Sequence, residues 1–206
     1  MNLWFIRHGE TEANLAGLYS GISETPLTAR GERQACALQQ MLAAVPFDRV
    51  LSSELTRAGH TARLALAGRD LTMQTDNRLN EMNFGAWEMR HHRELHAEGS
   101  AEYRAWCQDW QTAVPPGGEG FAAFSQRIRA LADSLQADSQ QARYQNVLLI
   151  SHKGVLSLLL THLLALPPEQ MWRFDIAQGC WSRVELLGDY AVLRSLNNQS
   201  VWVPAP

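Results

Sequence analysis

The chain alternates between short unbroken apolar runs and longer stretches with apolar residues at helical spacing, the pattern of a sheet layered between helices. Residues 3–6 form an apolar run that suits a buried strand, and 49–51, 71–75 and 146–150 read the same way. Helical spacing covers 28–44, where Ala35, Leu38, Met41 and Leu42 recur behind Thr28 as N-cap. Further helices are expected over 54–67, 120–137 and 154–166, the last stopped by Pro167-Pro168. Residues 181–187 and 190–196 read as a closing pair of strands, with Gly188-Asp189 as the hairpin turn between them. Segment 77–118 breaks this rhythm. Phe84, Trp87, Tyr103, Trp106 and Trp110 fall irregularly around one expected helix near 100–111, and Val114-Pro115-Pro116-Gly117-Gly118 ends the segment. No repeat, low-complexity tract or linker divides the chain. A single α/β domain over 1–206 is expected, with 77–118 as an insertion.

Polar residues collect where the apolar runs end. The first run leads into Arg7-His8-Gly9-Glu10-Thr11 and the second into Ser52-Ser53, with Arg57 one turn into the next helix. Run 147–150 leads into Ser151-His152-Lys153-Gly154. In parallel α/β sheets, ligand sites form beyond the carboxyl ends of the strands. Arg7, His8, Arg57 and His152 are therefore expected at one sheet edge, as an anion site holding a nucleophile. The guanidinium fork suits phosphate because it makes paired, charge-assisted hydrogen bonds.

The stretch Arg7-His8-Gly9-Glu10-Thr11 with Asn14 resembles the signature of the histidine phosphatase superfamily, which includes the phosphoglycerate mutases. The remaining pieces follow in the order that resemblance requires: Leu27-Thr28 and Gly31, Ser52-Ser53 with Arg57-Ala58, Thr61-Ala62, Leu79-Asn80-Glu81, then Ser151-His152-Lys153-Gly154. It extends over about residues 1–196. It implies a three-layer sandwich, a mixed and mostly parallel sheet flanked by helices, with 77–118 covering the active site. It also implies phosphomonoester hydrolysis through a phosphohistidine at His8, with Arg7, Arg57 and His152 holding the transferred group and Asn14 adding a hydrogen bond. Glu81 would be the general acid. His152 would serve best protonated and His8 neutral.

Three further stretches, 17–21, 81–92 and 178–182, resemble the members of the superfamily that hydrolyse α-ribazole 5′-phosphate in the nucleotide-loop stage of cobalamin synthesis. Ser20, Gly21 and Trp87 would then contact substrate, although Ser20 stands where many broad-specificity members carry glutamine. A broad-specificity phosphatase, a phosphoglycerate mutase and, from another class, a non-catalytic phospho-ligand binding module are the rival readings. Several residues keep plain alternatives. Asn14 and Ser53 would also serve as caps, and Glu81 as a solvated loop carboxylate. Trp87, Trp106 and Trp110 would stack on an aromatic substrate such as a benzimidazole riboside, while Trp106 and Trp110, spaced i,i+4, would also serve as core, and Lys153 would attract phosphate or face water.

Composition adjusts this picture only at its margins. Of 206 residues, 46% are hydrophobic and 19% charged, enough to bury a core without disulfides and too apolar for a disordered chain. The 18 Lys+Arg against 21 Asp+Glu give a net charge of −3, which argues against nucleic acid as partner while leaving room for a small phosphorylated substrate. Cys36, Cys107 and Cys180 form no CxxC pair, and residues 1–8 make too short an apolar run for a signal peptide. A cytoplasmic protein without a membrane segment is expected. His92 and His96, with His91 beside them, have metal-ligand spacing but no cysteine to join them, so no metal and no cofactor is expected. Oligomeric state is left open.

Overall fold

Strand β1 (Asn2–Arg7) is buried on both faces from Leu3 to Ile6, which is why it reads as a continuous apolar run and not as an alternating one. Leu3 and Phe5 join the core on one side of the sheet, Trp4 and Ile6 the core on the other. Strand β4 (Asn146–Ser151) divides in the same way, Val147 and Leu149 against Leu148 and Ile150. The computed structural model describes residues 1–188 and 190–203. With β2 (Arg49–Ser52), β3 (Met73–Thr75), β5 (Trp181–Leu187) and β6 (Tyr190–Asn198), the sheet has the order β3-β2-β4-β1-β5-β6. The first four in that order run parallel, and β5 and β6 are antiparallel to their neighbours.

Helices α2 (Ala29–Met41) and α3 (Thr56–Ala65) cover the Trp4 side with Leu38, Ala58 and Ala62. Helices α6 (Phe121–Gln140) and α7 (Lys153–Leu163) cover the other with Ile128, Leu131, Leu135, Leu156 and Leu160. The result is the expected three-layer α/β sandwich. Its elements differ from the sequence reading mainly at their ends. Helix α7 stops at Leu163, before the prolines, because Ala165 turns to a φ of 55° and the Leu166 N–H bonds back to Thr161 O at 3.0 Å. Strand β3 begins at Met73 and not at residue 71, since the Leu71 N–H closes a turn onto Arg69 O. In the closing hairpin Leu187 pairs with Tyr190, and the expected turn residue Asp189 lies outside the described residues.

The irregular middle folds as two 3-10 turns, Asn77–Leu79 and Gly85–Trp87, and two short helices, α4 (His92–Glu98) and α5 (Ala101–Gln108). Trp87, Leu95 and Tyr103 form a small core of their own there. This stretch is joined to the loop after helix α1 (Glu12–Ala16) by hydrogen bonds from Tyr19 N to Arg90 O and from Met89 N to Tyr19 O. Among the described residues, no helix is long and apolar enough to cross a membrane.

Candidate active site

Because β1, β2 and β4 are parallel neighbours, their carboxyl ends share one edge. The register pairs Arg7 with Ser151, and Ser52 with Ile150. The backbone then continues as a short ladder beyond the strands, His8 N to Ser151 O at 2.9 Å and Ser53 N to Ile150 O at 3.0 Å. His8, Arg57 and His152 are thereby brought together and buried, at 4%, 1% and 1% exposure. The turn after β1 is held by close backbone contact with α2: a Cβ on Gly9 would stand 2.4 Å from Gly31 O, and one on Gly31 2.1 Å from Glu10 O. Only glycine fits at either place. The Gly9 N–H also donates to Thr61 Oγ1 of α3 at 3.0 Å.

The hydrogen bonds of the two imidazoles define their tautomers. His8 Nδ1 lies 2.8 Å from Gly9 O, an acceptor only, so Nδ1 carries the proton and Nε2 keeps its lone pair. Ser53 Oγ donates to Asn80 Oδ1 at 2.8 Å, so its oxygen accepts from His152 Nε2–H at 2.9 Å. Ser53 is therefore more than a helix cap, because it orients His152. The ring centroids of His8 and His152 are 5.0 Å apart. Burial, with Arg57 and Arg7 alongside, lowers the His8 pKa to about 3. Burial and then Arg57, His8 and Arg7 push His152 well below its ordinary value. Burial and the two guanidinium groups disfavour a cation at His152 in the ligand-free protein, so the protonated form that would serve best needs a bound anion as its counter-charge.

Arg57 Nη1 donates to Ser23 O at 2.9 Å and Nη2 to Gly21 O, while Arg7 Nη1 donates to Ile176 O at 3.0 Å. Arg7 Nε, Arg57 Nε, His152 Nδ1 and Ser20 Oγ are all buried without a hydrogen-bond partner. Buried polar groups in this condition are costly, and an anion accepting from several of them would offset that cost. Gly21 contributes through its backbone, its carbonyl holding Arg57. Asn14 is the cap partner of Thr11, its Oδ1 accepting from Thr11 N at 3.3 Å, and that oxygen also accepts from Gln178 Nε2 at 2.7 Å. Both bonds fall on Oδ1, leaving the Nδ2 donors for another acceptor.

Glu81 stands at the amino end of α7. Its Oε2 accepts from Gly154 N at 3.0 Å and its Oε1 from Met82 N at 3.1 Å. A Cβ on Gly154 would approach Glu81 Oε1 to 2.6 Å, so glycine is required for the carboxylate to sit there. Burial raises the Glu81 pKa, against the opposing pull of the two N–H groups and Arg57. Beside Glu81 opens a cavity of about 430 Å³ lined by Tyr19, Phe84, Trp106, Trp110, Phe121, Phe124, Met171 and Trp172, among others. Glu81 is the only charged side chain among the described residues lining it. Trp106 and Trp110 line this space while also packing against the buried core.

Trp87 does not line the cavity. It is 3% exposed and packs behind the wall, with ring centroids 5.6 Å from Trp106 and 5.3 Å from Tyr103. Its expected substrate contact is corrected accordingly. Lys153 Nζ pairs with Asp175 at 2.6 Å. His91 caps α4 by accepting from Arg93 N, and among the described residues no group of three metal-binding side chains assembles.

Sequence reasoning named the stretch 178–182 without giving Gln178 its role of orienting Asn14, and it passed over Trp172, four residues beyond the proline break. Within the stretch 81–92 it likewise gave no role to Glu88, whose carboxylate accepts from the backbone N–H groups of Gly21, Ile22, Ser23 and Phe84. Nothing in the spacing of these residues signals those bonds. The prolines 167–168 open a short 3-10 helix, Pro168–Arg173, and the tryptophan within it was the one available signal for Trp172.

A family model described as "Histidine phosphatase superfamily (branch 1)" matches residues 3–199. An adenosylcobalamin/alpha-ribazole phosphatase of Salmonella typhimurium is 53% identical over 204 residues, covering 99% of this chain and all of that protein. One of Escherichia coli with the same name is 54% identical over 203 residues, 98% of each chain. The crystal structure of an alpha-ribazole phosphatase from Shigella flexneri superposes with a TM-score of 0.95 at 53% identity, covering 100% of both chains.

Proposed function

The chain belongs to the histidine phosphatase superfamily, and from that premise we propose that it hydrolyses α-ribazole 5′-phosphate to α-ribazole and phosphate through a phosphohistidine at His8. The observation that carries the substrate is the aromatic cavity beside Glu81. A benzimidazole riboside is a neutral aromatic leaving group, and a wall of Tyr19, Phe84, Trp106, Trp110 and Trp172 suits its base by stacking and edge contact. A phosphoglycerate would bring its carboxylate into a largely apolar space that, among the described residues, offers no Lys, Arg or His side chain to pair with it. That disfavours the mutase reading.

The chemistry follows from the atoms already placed. The His8 Nε2 lone pair attacks phosphorus as the bond to the ester oxygen breaks. Arg7, Arg57, His152 and Asn14 hold the three equatorial oxygens, whose spread charge makes positioning and electrostatics the main sources of rate. The arriving dianion supplies the counter-charge under which His152 Nδ1 takes a proton from solvent water and donates to a phosphate oxygen, returning that proton to solvent when phosphate leaves. Glu81, whose pKa burial raises, gives a proton from its carboxylic acid form to the departing 5′ oxygen. Its carboxylate then removes a proton from water, whose oxygen attacks the phosphohistidine. The P–N bond breaks, phosphate leaves and His8 is neutral again. The chain reads as one domain in which 77–118 roofs the site. A cytoplasmic location suits its three free thiols.

A kcat/KM panel of α-ribazole phosphate, sugar phosphates, nucleotides and phosphoglycerates tests the assignment. Preference for α-ribazole phosphate by at least tenfold is expected. A flat profile would overturn the substrate while leaving the chemistry. Rapid quench should trap acid-labile phosphate in the wild type and none in His8→Ala, and a fully active His8→Ala enzyme would overturn the mechanism.

A further inference from the structure

We propose that Glu88 is a positioning residue for the reaction, holding the Arg57 guanidinium in its phosphate-binding place through the loop 20–23. The inference rests on the reading of Arg57 as a phosphate ligand. One carboxylate gathers an unusual number of backbone donors. Glu88 Oε2 accepts from Gly21 N and Ser23 N, both at 3.1 Å, and Oε1 accepts from Ile22 N at 3.1 Å and Phe84 N at 2.8 Å. Four backbone donors from two separate segments thus converge on one side chain.

The carbonyls of the same loop face the other way. Gly21 O and Ser23 O are the acceptors of Arg57 Nη2 and Nη1, and no other hydrogen bond holds that guanidinium among the described residues. Glu88 therefore binds three loop N–H groups, and the peptide unit joining Gly21 to Ile22 is held from both sides, its N–H by Glu88 and its C=O by Arg57. The fit is close: a Cβ on Gly21 would lie 2.3 Å from Glu88 Oε1 and 2.0 Å from Met82 O. The loop cannot relax towards Glu88 without losing Arg57, nor follow Arg57 without losing Glu88. Phe84 N completes the link, and Phe84 is itself part of the cavity wall. The phosphate end and the leaving-group end of the site are joined through this one carboxylate. Charge-assisted bonds to backbone N–H groups are roughly twice as strong as neutral ones, which suits a fixed anchor.

Glu88→Gln is the informative variant, because its amide keeps one acceptor oxygen and turns an NH₂ group towards two of the four N–H donors. The probe is competitive inhibition by inorganic phosphate, with kcat/KM on p-nitrophenyl phosphate alongside, measured in Glu88→Gln, Glu88→Asp, Arg57→Ala and the double variant Arg57→Ala/Glu88→Gln. The expected result is phosphate inhibition about tenfold or more weaker in Glu88→Gln and partly restored in Glu88→Asp. In the Arg57→Ala background, Glu88→Gln should have almost no further effect, the non-additivity of residues acting as one unit. A purely structural carboxylate would lower the melting temperature but act independently of Arg57. Phosphate inhibition within twofold of wild type in Glu88→Gln, or full additivity in the double variant, overturns the inference while Arg57 stands. Unchanged phosphate inhibition in Arg57→Ala overturns the reading of Arg57 and the inference with it. Failure of both Glu88→Gln and Glu88→Asp to fold makes Glu88 a folding residue and also overturns it.

Discussion

Glu81 has to be an acid when the ester bond breaks and a base when water attacks, so its proton must be neither tightly held nor readily lost. Burial raises its pKa above the ordinary 4.5, while the Gly154 and Met82 N–H groups keep the carboxylate form accessible. His8, lowered to about 3, is neutral across the working range and contributes no acid limb of its own there. The sign of the pH dependence follows. The alkaline limb of kcat/KM belongs to Glu81 losing its proton, and the acid limb to the substrate's second phosphate ionisation near about 6. Glu81→Gln should abolish the alkaline limb and lower kcat by about 10²–10⁴-fold on an alkyl phosphate. The loss should be much smaller on p-nitrophenyl phosphate, whose leaving group needs no proton. Equal losses on both esters would remove Glu81 from that role.

At the scale of elements, the strands were legible because both sheet faces are buried, which writes β1 and β4 as unbroken apolar runs with their polar residues at the ends. The middle segment was not legible, because there Trp87, Trp106 and Trp110 occur at similar irregular spacing and only tertiary packing sorts them. Trp87 became the core of α4 and α5, while Trp106 and Trp110 became wall. The two fates predict opposite phenotypes. Trp87→Ala removes a side chain 3% exposed and should cost about 3–5 kcal/mol of stability. Trp172 is 55% exposed at the cavity, its ring centroid 6.0 Å from that of Trp110. Trp172→Ala should change stability by no more than about 0.5 kcal/mol. It should raise KM for α-ribazole phosphate by about 2–10-fold, the worth of one aromatic contact, and more than it raises KM for glycerol phosphate. Chemical denaturation and substrate kinetics on the two variants separate these outcomes, and a Trp172→Ala enzyme that treats both substrates alike would remove the ring from base recognition.

Over the whole molecule, a net charge of −3 describes the surface average, and the site is a local exception made by three parallel strand ends. Arg7, His8, Arg57 and His152 could be read from the sequence because each lies at or just beyond an apolar run. Glu88 and Gln178 could not, because their partners are backbone and side-chain groups far away in sequence. Concentrating two arginines and two neutral histidines in one buried place has a cost that should appear in global stability. Between pH 6.5 and about 3 the unfolded His8 binds a proton that the folded one refuses, and His152 behaves alike over its own window. Protons bound preferentially by the unfolded chain destabilise the fold as pH falls, by up to about 1.4 kcal/mol per pH unit for each such group. Glu81 works in the opposite direction above pH 4.5, since its folded form holds a proton that the unfolded chain releases, but it is one group against two. His162, also lowered by burial, adds to the histidine side. Asp76 and Asp175, both lowered from 3.8, enter only at more acid pH. The melting temperature of the phosphate-free protein should therefore fall steadily from pH 6.5 to 4.5, and His152→Asn should make that fall shallower. A melting temperature that stays level across this range would mean that the two imidazoles are not held neutral together, and the division of labour between a free nucleophile and a histidine protonated only by its substrate would have to be abandoned.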